Sequence, residues 1–318
     1  VYKRQGFIVG ILLPAAILII LALVYIIQGN PIYISSKDTF VPDFTKVNTL
    51  VVFVSFILSY MGVEASATHA NEMDNPKKEY PLAMLLLVIV AIVVSTLGGL
   101  AIAAVIPQDQ INLSAGVVQT FAVLLGHFTA NNTILVKIIA LLLAFGVIAE
   151  VSSWVVGPSE GMYAAAKKGL LPKKLTEVNK HEVPVPLVLV QGLVVTIWAA
   201  VLTFGGGGNN VSFLTAISLT VVIYLVGYLL FFIGYIILIL KHGDLKRAYH
   251  VPGGKTFKMI VAIAGFVVSV FALVISFVPP SQLTGKSISE YLTILSISFI
   301  VTVLIPFIIY ALHDKWNK

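Results

Sequence analysis

The stretch Ser59-Tyr-Met-Gly-Val-Glu-Ala-Ser-Ala-Thr-His-Ala-Asn-Glu-Met-Asp-Asn-Pro-Lys-Lys-Glu-Tyr-Pro81 decides how this chain is built. It sets Gly62 and Glu64 inside an apolar run, then passes into a basic loop punctuated by Pro76 and Pro81. A carboxylate at membrane depth costs at least about 2.5–3.5 kcal/mol on insertion scales and faces a cavity or a partner. The glycine beside it lowers helix stability by roughly 1 kcal/mol and permits an unwound turn. An interrupted membrane helix is tolerated where the freed backbone groups line an enclosed or watery site. The stretch therefore reads as a broken membrane helix built around a binding site.

Composition extends that reading to the whole chain. Of its 318 residues, 58% are hydrophobic and 11% charged, against roughly 25% charged in a soluble domain. The mean hydropathy is +1.01. Apolar runs of about 20 residues recur, each long enough to cross a hydrocarbon core of about 30 Å. The fold class is an all-α polytopic membrane protein. The net charge of +6 does not point to nucleic acid, because the basic residues sit in short loops between apolar runs. With no cysteine and six scattered histidines there is no metal-ligand spacing. Neither a cofactor nor a metal is expected.

Eight spans are expected, at roughly 7–27, 47–70, 82–106, 134–156, 186–204, 211–240, 258–279 and 290–312. Breakers separate them, among them Gly29-Asn-Pro31, Asn75-Pro76, Gly157-Pro158, the glycines 205–208 and Pro279-Pro280. The apolar stretch Leu113–Phe128 is too short for a ninth span and is expected to be an interfacial or re-entrant helix. Sixteen of the twenty lysines and arginines fall on the side of the chain ends and of the loops near Lys77, Lys173 and Lys246. The positive-inside bias then expects both ends in the cytoplasm. The chain starts at Val1 with no cleavable signal pattern, and it is expected to lack its true N-terminus.

Only Glu64 and Glu150, of fourteen acidic residues, lie well inside spans. Each reads either as a substrate, gating or proton-coupling group or as a structural carboxylate tying down unwound backbone. Glu150 and Trp154 are four residues apart and share a helical face, as do Tyr224 and Tyr228. Such aromatics usually pack or form an interfacial belt, yet Tyr224 and Tyr228 sit mid-span, away from the belt zone. Ala149, Ser153 and Gly157 form a row of small residues expected to admit a neighbouring helix closely.

Taken together, these residues resemble the amino acid–polyamine–organocation transporter superfamily. The resemblance rests on Gly62-Val-Glu64, Asn75-Pro76 and Pro81, Gly157-Pro-Ser-Glu-Gly-Met-Tyr163, Lys168-Gly-Leu-Leu-Pro172 and Val183-Pro184. Longer stretches resemble one branch, the glutamate/γ-aminobutyrate antiporters of bacterial acid resistance. They are Leu50-Val-Val-Phe-Val54, Phe56 to His69, Ile111-Asn-Leu-Ser-Ala-Gly116 and Lys241-His-Gly-Asp-Leu-Lys-Arg247.

The resemblance implies a twelve-helix fold of two inverted five-helix repeats. Residues 1–28 would be the last helix of the first repeat, 41–241 the second repeat with its first helix broken near 59–64, and 257–312 two C-terminal helices. Residues 313–318 would be the stub of a cytoplasmic tail. Four earlier helices and a C-terminal plug are expected outside this chain, and with them half of the binding site. Gly62, Glu64, Glu150, Trp154, Tyr224 and Tyr228 would line the substrate path, with Trp154 as a lid. The implied activity is exchange of extracellular glutamate for intracellular γ-aminobutyrate, favoured at acidic pH. It would occur in the bacterial inner membrane and be coupled to a cytosolic glutamate decarboxylase. The alternatives are another amino-acid exchanger of the superfamily, or an intramembrane enzyme using Glu64 and Glu150 as an acid/base pair. Nothing in the sequence supplies the latter with a nucleophile or a metal.

Overall fold

The computed structural model describes residues 2–34, 45, 47–113, 115–204, 208–243, 245, 249, 251–280 and 282–316. Among these the regular elements are all helical. Ten α-helices follow in chain order: α1 (Tyr2–Phe7), α2 (Leu13–Ile27), α3 (Val47–Leu58), α4 (Pro76–Val105) and α5 (Gly116–Phe128), then α6 (Thr133–Lys167), α7 (Val185–Phe204), α8 (Gly208–Lys241), α9 (Lys255–Ile275) and α10 (Lys286–Trp316). A five-residue π-helical segment, Ile8–Leu12, joins α1 to α2 without a break.

Eight helical stretches among the described residues are long and apolar enough to cross a membrane, and α5 is an apolar helix too short to do so. Large apolar side chains point outward, including Leu141 at 72% and Phe307 at 68% exposure. Apolar surface of that extent needs lipid to cover it. The chain is a polytopic all-α membrane protein.

The chain divides into two compact units, residues 1–42 with 85–160 and residues 43–84 with 161–318. The first unit centres on Leu18, Ala22 and Tyr25 of α2, which pack with Phe121, Leu124 and Leu125 of α5 and with Ala101, Ala104 and Val105 of α4. Its closest helix crossing is made by glycines. A Cβ on Gly10 would stand 2.3 Å from the Cα of Gly146, and one on Gly6 would stand 2.3 Å from the Cβ of Ala149. The close approach therefore uses Ala149, the first residue of the row expected from sequence, together with Gly146 just before it. Ser153 instead donates to the Ala149 carbonyl of its own helix at 3.1 Å.

In the second unit, Val54, Val221, Leu225 and Ala272 form a core shared by α3, α8 and α9. The fully buried Tyr291 of α10 hydrogen-bonds the Ser218 hydroxyl on α8 and the Ser276 carbonyl after α9, each at 2.8 Å. That buried phenol fastens the last helix to the two before it.

Several boundaries differ from the sequence reading. Gly157-Pro158 does not end a span, since α6 continues through it to Lys167. Pro158 offers no N–H to the turn before it, but membrane helices tolerate this where local groups re-satisfy the backbone. The missing N–H is the one that would reach the Trp154 carbonyl four residues earlier, while the Ser159 hydroxyl donates to the next carbonyl, that of Val155, at 2.7 Å. Pro76 starts α4 instead of ending the preceding loop, as fits a residue whose missing N–H would be unpaired in a first turn. Within the expected glycine turn, Gly208 already belongs to α8, while 205–207 lie outside the described residues. Residues 313–316 of the expected tail stub continue α10, and 317–318 lie outside the described residues.

Candidate functional site

The second span breaks where its sequence changes character. After α3 ends at Leu58, the N–H groups of Ser59, Tyr60 and Met61 donate to the carbonyls of Phe56, Ile57 and Leu58 at 3.2, 3.0 and 3.2 Å. These tightened turns finish the helix, and Gly62 then turns left-handed at φ 89°. A side chain there would add about 1–2 kcal/mol of strain, so glycine suits the position. From Gly62 the chain enters a ten-residue 3-10 helix, Val63–Glu72, with Glu64 in its first turn.

Gly62 does not return its N–H to its own helix. It donates to the hydroxyl oxygen of Tyr228 on α8 at 3.0 Å. The same hydroxyl donates to Glu64 Oε2 at 2.6 Å. One phenol thus accepts from the backbone at the break and donates to the carboxylate two residues later. Tyr224, one turn earlier on α8, meets the Tyr228 ring edge-on with centroids 6.2 Å apart. The spacing and depth that singled out the two tyrosines correspond to this pair.

The cluster borders a cavity of about 660 Å³, within the usual range of about 300–1,000 Å³ for small-molecule sites. Val63 and Glu64 come from the 3-10 segment, and Tyr80 and Met84 from the start of α4. Two adjacent rows of α8 complete the wall, Ile223-Gly227-Phe231 and Tyr224-Tyr228-Phe232. Ser66 secures the 3-10 segment, since its hydroxyl donates to the Val63 carbonyl at 2.6 Å and lies 3.2 Å from the Tyr80 hydroxyl. The Ser66 hydroxyl also lies 3.7 Å from the Met84 sulfur. The arrangement offers one carboxylate at the edge of a largely apolar chamber. It can pair an ammonium group and cover an aliphatic body.

Gly62, Glu64, Tyr224 and Tyr228 are therefore brought together within the second unit. Glu150 and Trp154 stand one turn apart on the first unit's stretch of α6, where Trp154 is 38% exposed. Sequence reading missed Tyr80, Ser66 and Phe232. Phe232 was within reach, because one more step of four residues from Tyr228 lands on it. Tyr80 and Ser66 gave less notice, since their meeting depends on the 3-10 geometry of the segment between Gly62 and α4.

The sequence profile of the amino acid permease family matches residues 3–305. Two glutamate/gamma-aminobutyrate antiporters, from Lactococcus lactis subsp. lactis (strain IL1403) and subsp. cremoris (strain MG1363), are each 63% identical over 98% of the chain. An uncharacterized transporter of Legionella pneumophila subsp. pneumophila is 30% identical over 96% of the chain and 66% of its own length. The chain spans 62% of the length of each of the two Lactococcus relatives.

Proposed function

The chain belongs to the amino acid permease family, and from that premise we propose that the intact protein exchanges extracellular glutamate for intracellular γ-aminobutyrate by alternating access. The observation that carries the reading is the Glu64–Tyr228–Gly62 cluster at the wall of a ligand-sized cavity. It lies in a chain 63% identical to two relatives named for that exchange. Glu64 pairs with the substrate ammonium, the common feature of glutamate and γ-aminobutyrate. Val63, Met84, Ile223 and Phe231 cover the aliphatic carbons. By resemblance to the transporter superfamily we also assign Glu150 and Trp154 to the substrate path, Trp154 as its lid.

The cavity follows α8 from Ile223 to Phe232, nine residue steps or about 14 Å of helix. It runs toward the end of α8 that carries Lys241. We assign that end to the cytoplasm on the positive-inside bias, together with both ends of the chain. The described chamber is then the inward vestibule, through which γ-aminobutyrate enters the site. The broken span is the moving part, because Gly62 has the backbone freedom to swing the 3-10 segment. When Tyr228 releases Gly62 and Glu64, that segment is free to reorient.

The physiological partner is a cytosolic glutamate decarboxylase in a bacterium with an acidic exterior. Decarboxylation of glutamate consumes one proton and yields carbon dioxide and γ-aminobutyrate, so one turn of exchange removes one cytosolic proton. Exchange gains speed as the outside acidifies, as the resemblance to antiporters of bacterial acid resistance implies. The test is countertransport by the intact protein in proteoliposomes, scored with a panel of amino acids on each side. An exchanger of cationic amino acids would instead favour arginine or lysine in that panel.

A further inference from the structure

Phe232 stands between two cavities of the second unit. It lines the chamber of about 660 Å³ that holds Glu64, and also a smaller one of about 230 Å³ bordered on the α9 side by Gly265, Val268 and Ser269. Among the described residues α9 contributes nothing to the larger chamber's lining. The Phe232 ring is thus part of the partition between α9 and the space in front of Glu64.

The ring rests directly on Gly265. A Cβ at that position would stand 2.3, 2.4 and 3.0 Å from three of its atoms. Gly265 lies inside α9 and is absent from the left-handed glycines, so backbone conformation does not require it there. A glycine inside a helix costs roughly 1 kcal/mol against alanine. The space taken by the Phe232 ring accounts for its presence. The contact is held firmly, since Ala262 and Ser269 on the same face are buried and the Ser269 hydroxyl donates to the Gly265 carbonyl at 2.7 Å.

We infer that Gly265 is a positioning residue for the substrate path, setting the width of the chamber before Glu64 through the seat it gives Phe232. A methyl group at 265 displaces the ring away from α9 and into the larger chamber. The inference rests on the exchange reading for the identity of the substrates but not for the width of the chamber. Glutamate exceeds γ-aminobutyrate by one carboxylate, so a narrowed chamber penalises glutamate more.

The chain contains no cysteine, which allows a direct test in the intact protein in a cysteine-free background. Ile223→Cys places a thiol in the chamber wall, and its labelling by a bulky thiol reagent reports the open width. Gly265→Ala is expected to slow that labelling on the order of tenfold, the scale of a methylene-sized misfit in an apolar site. Phe232→Ala combined with Gly265→Ala restores the rate, and Phe232→Ala alone labels at least as fast as the parent. In transport, Gly265→Ala raises KM for glutamate more than for γ-aminobutyrate, and the double variant reverses the difference. Unchanged labelling in Gly265→Ala overturns the inference. If Gly265→Ala does not reach the membrane, the double variant must reach it, and its failure also overturns the inference. If labelling follows the expected pattern while neither glutamate nor γ-aminobutyrate moves, the substrate reading falls and the role of Gly265 stands.

Discussion

The Tyr228 hydroxyl donates a 2.6 Å hydrogen bond to Glu64 across 164 residues of sequence. Because it also accepts the Gly62 N–H, it couples the carboxylate, the backbone break and α8 at one oxygen. A rotation of either the 3-10 segment or α8 has to break or carry both bonds together.

Tyr228→Phe isolates that coupling by removing the hydroxyl and keeping the ring. Membrane level is expected to stay near the parent's, while exchange falls roughly tenfold to a hundredfold. That is the scale of losing a hydrogen bond to a charged group, about 1.5–3 kcal/mol. Initial-rate exchange normalised to membrane protein checks it, and parental rates in Tyr228→Phe would count against the coupling.

Glu64→Gln keeps the shape and the hydrogen-bond acceptor for Tyr228 but removes the charge that pairs with an ammonium. Strong loss of exchange at normal membrane level is the expected outcome. Near-normal exchange would remove Glu64 from the transport step, and loss of insertion with normal activity per inserted molecule would assign it to folding instead.

Gly62→Ala tests the break itself. Alanine at φ 89° costs about 1–2 kcal/mol, so the melting temperature in detergent is expected to fall and exchange to slow. Gly161→Ala, where a new Cβ meets nothing within 4 Å, serves as the neutral control. Equal behaviour of the two variants would show that the left-handed turn carries no special burden.

How far the sequence foretells the site depends on the range of the signal. Glu64 is legible from depth alone, and Tyr224 with Tyr228 from helical spacing at mid-span, because these are local properties. The 3-10 form of Val63–Glu72 was not legible, since it follows from the tertiary bonds made by Gly62 and Ser66. Pro158 misled because a proline weakens one turn of a membrane helix without having to end it, and α6 runs on to Lys167. Gly10 and Gly265 gave no signal beyond their small size, as each is explained by what presses on it from another helix.

The orientation assigned from charge is checked by impermeant thiol labelling of intact cells. Asp109→Cys is expected to label from outside and Lys173→Cys only after the membrane is opened, as the positive-inside bias requires. The reverse pattern would invert the vestibule and put the described cavity on the outer face.

The pH dependence follows from the resemblance to antiporters of bacterial acid resistance. Exchange is expected to be faster near about pH 5.5 than near about pH 8. A rate that climbs toward alkaline pH would contradict that expectation.

Countertransport tests the central claim most directly. Proteoliposomes containing the intact protein and loaded with γ-aminobutyrate are expected to accumulate labelled glutamate, while empty ones do not. Unlabelled arginine and lysine are expected to compete poorly, since the described lining of the chamber that holds Glu64 offers a second cationic head no further carboxylate. Uptake into empty vesicles, or arginine preferred to glutamate, would contradict the account.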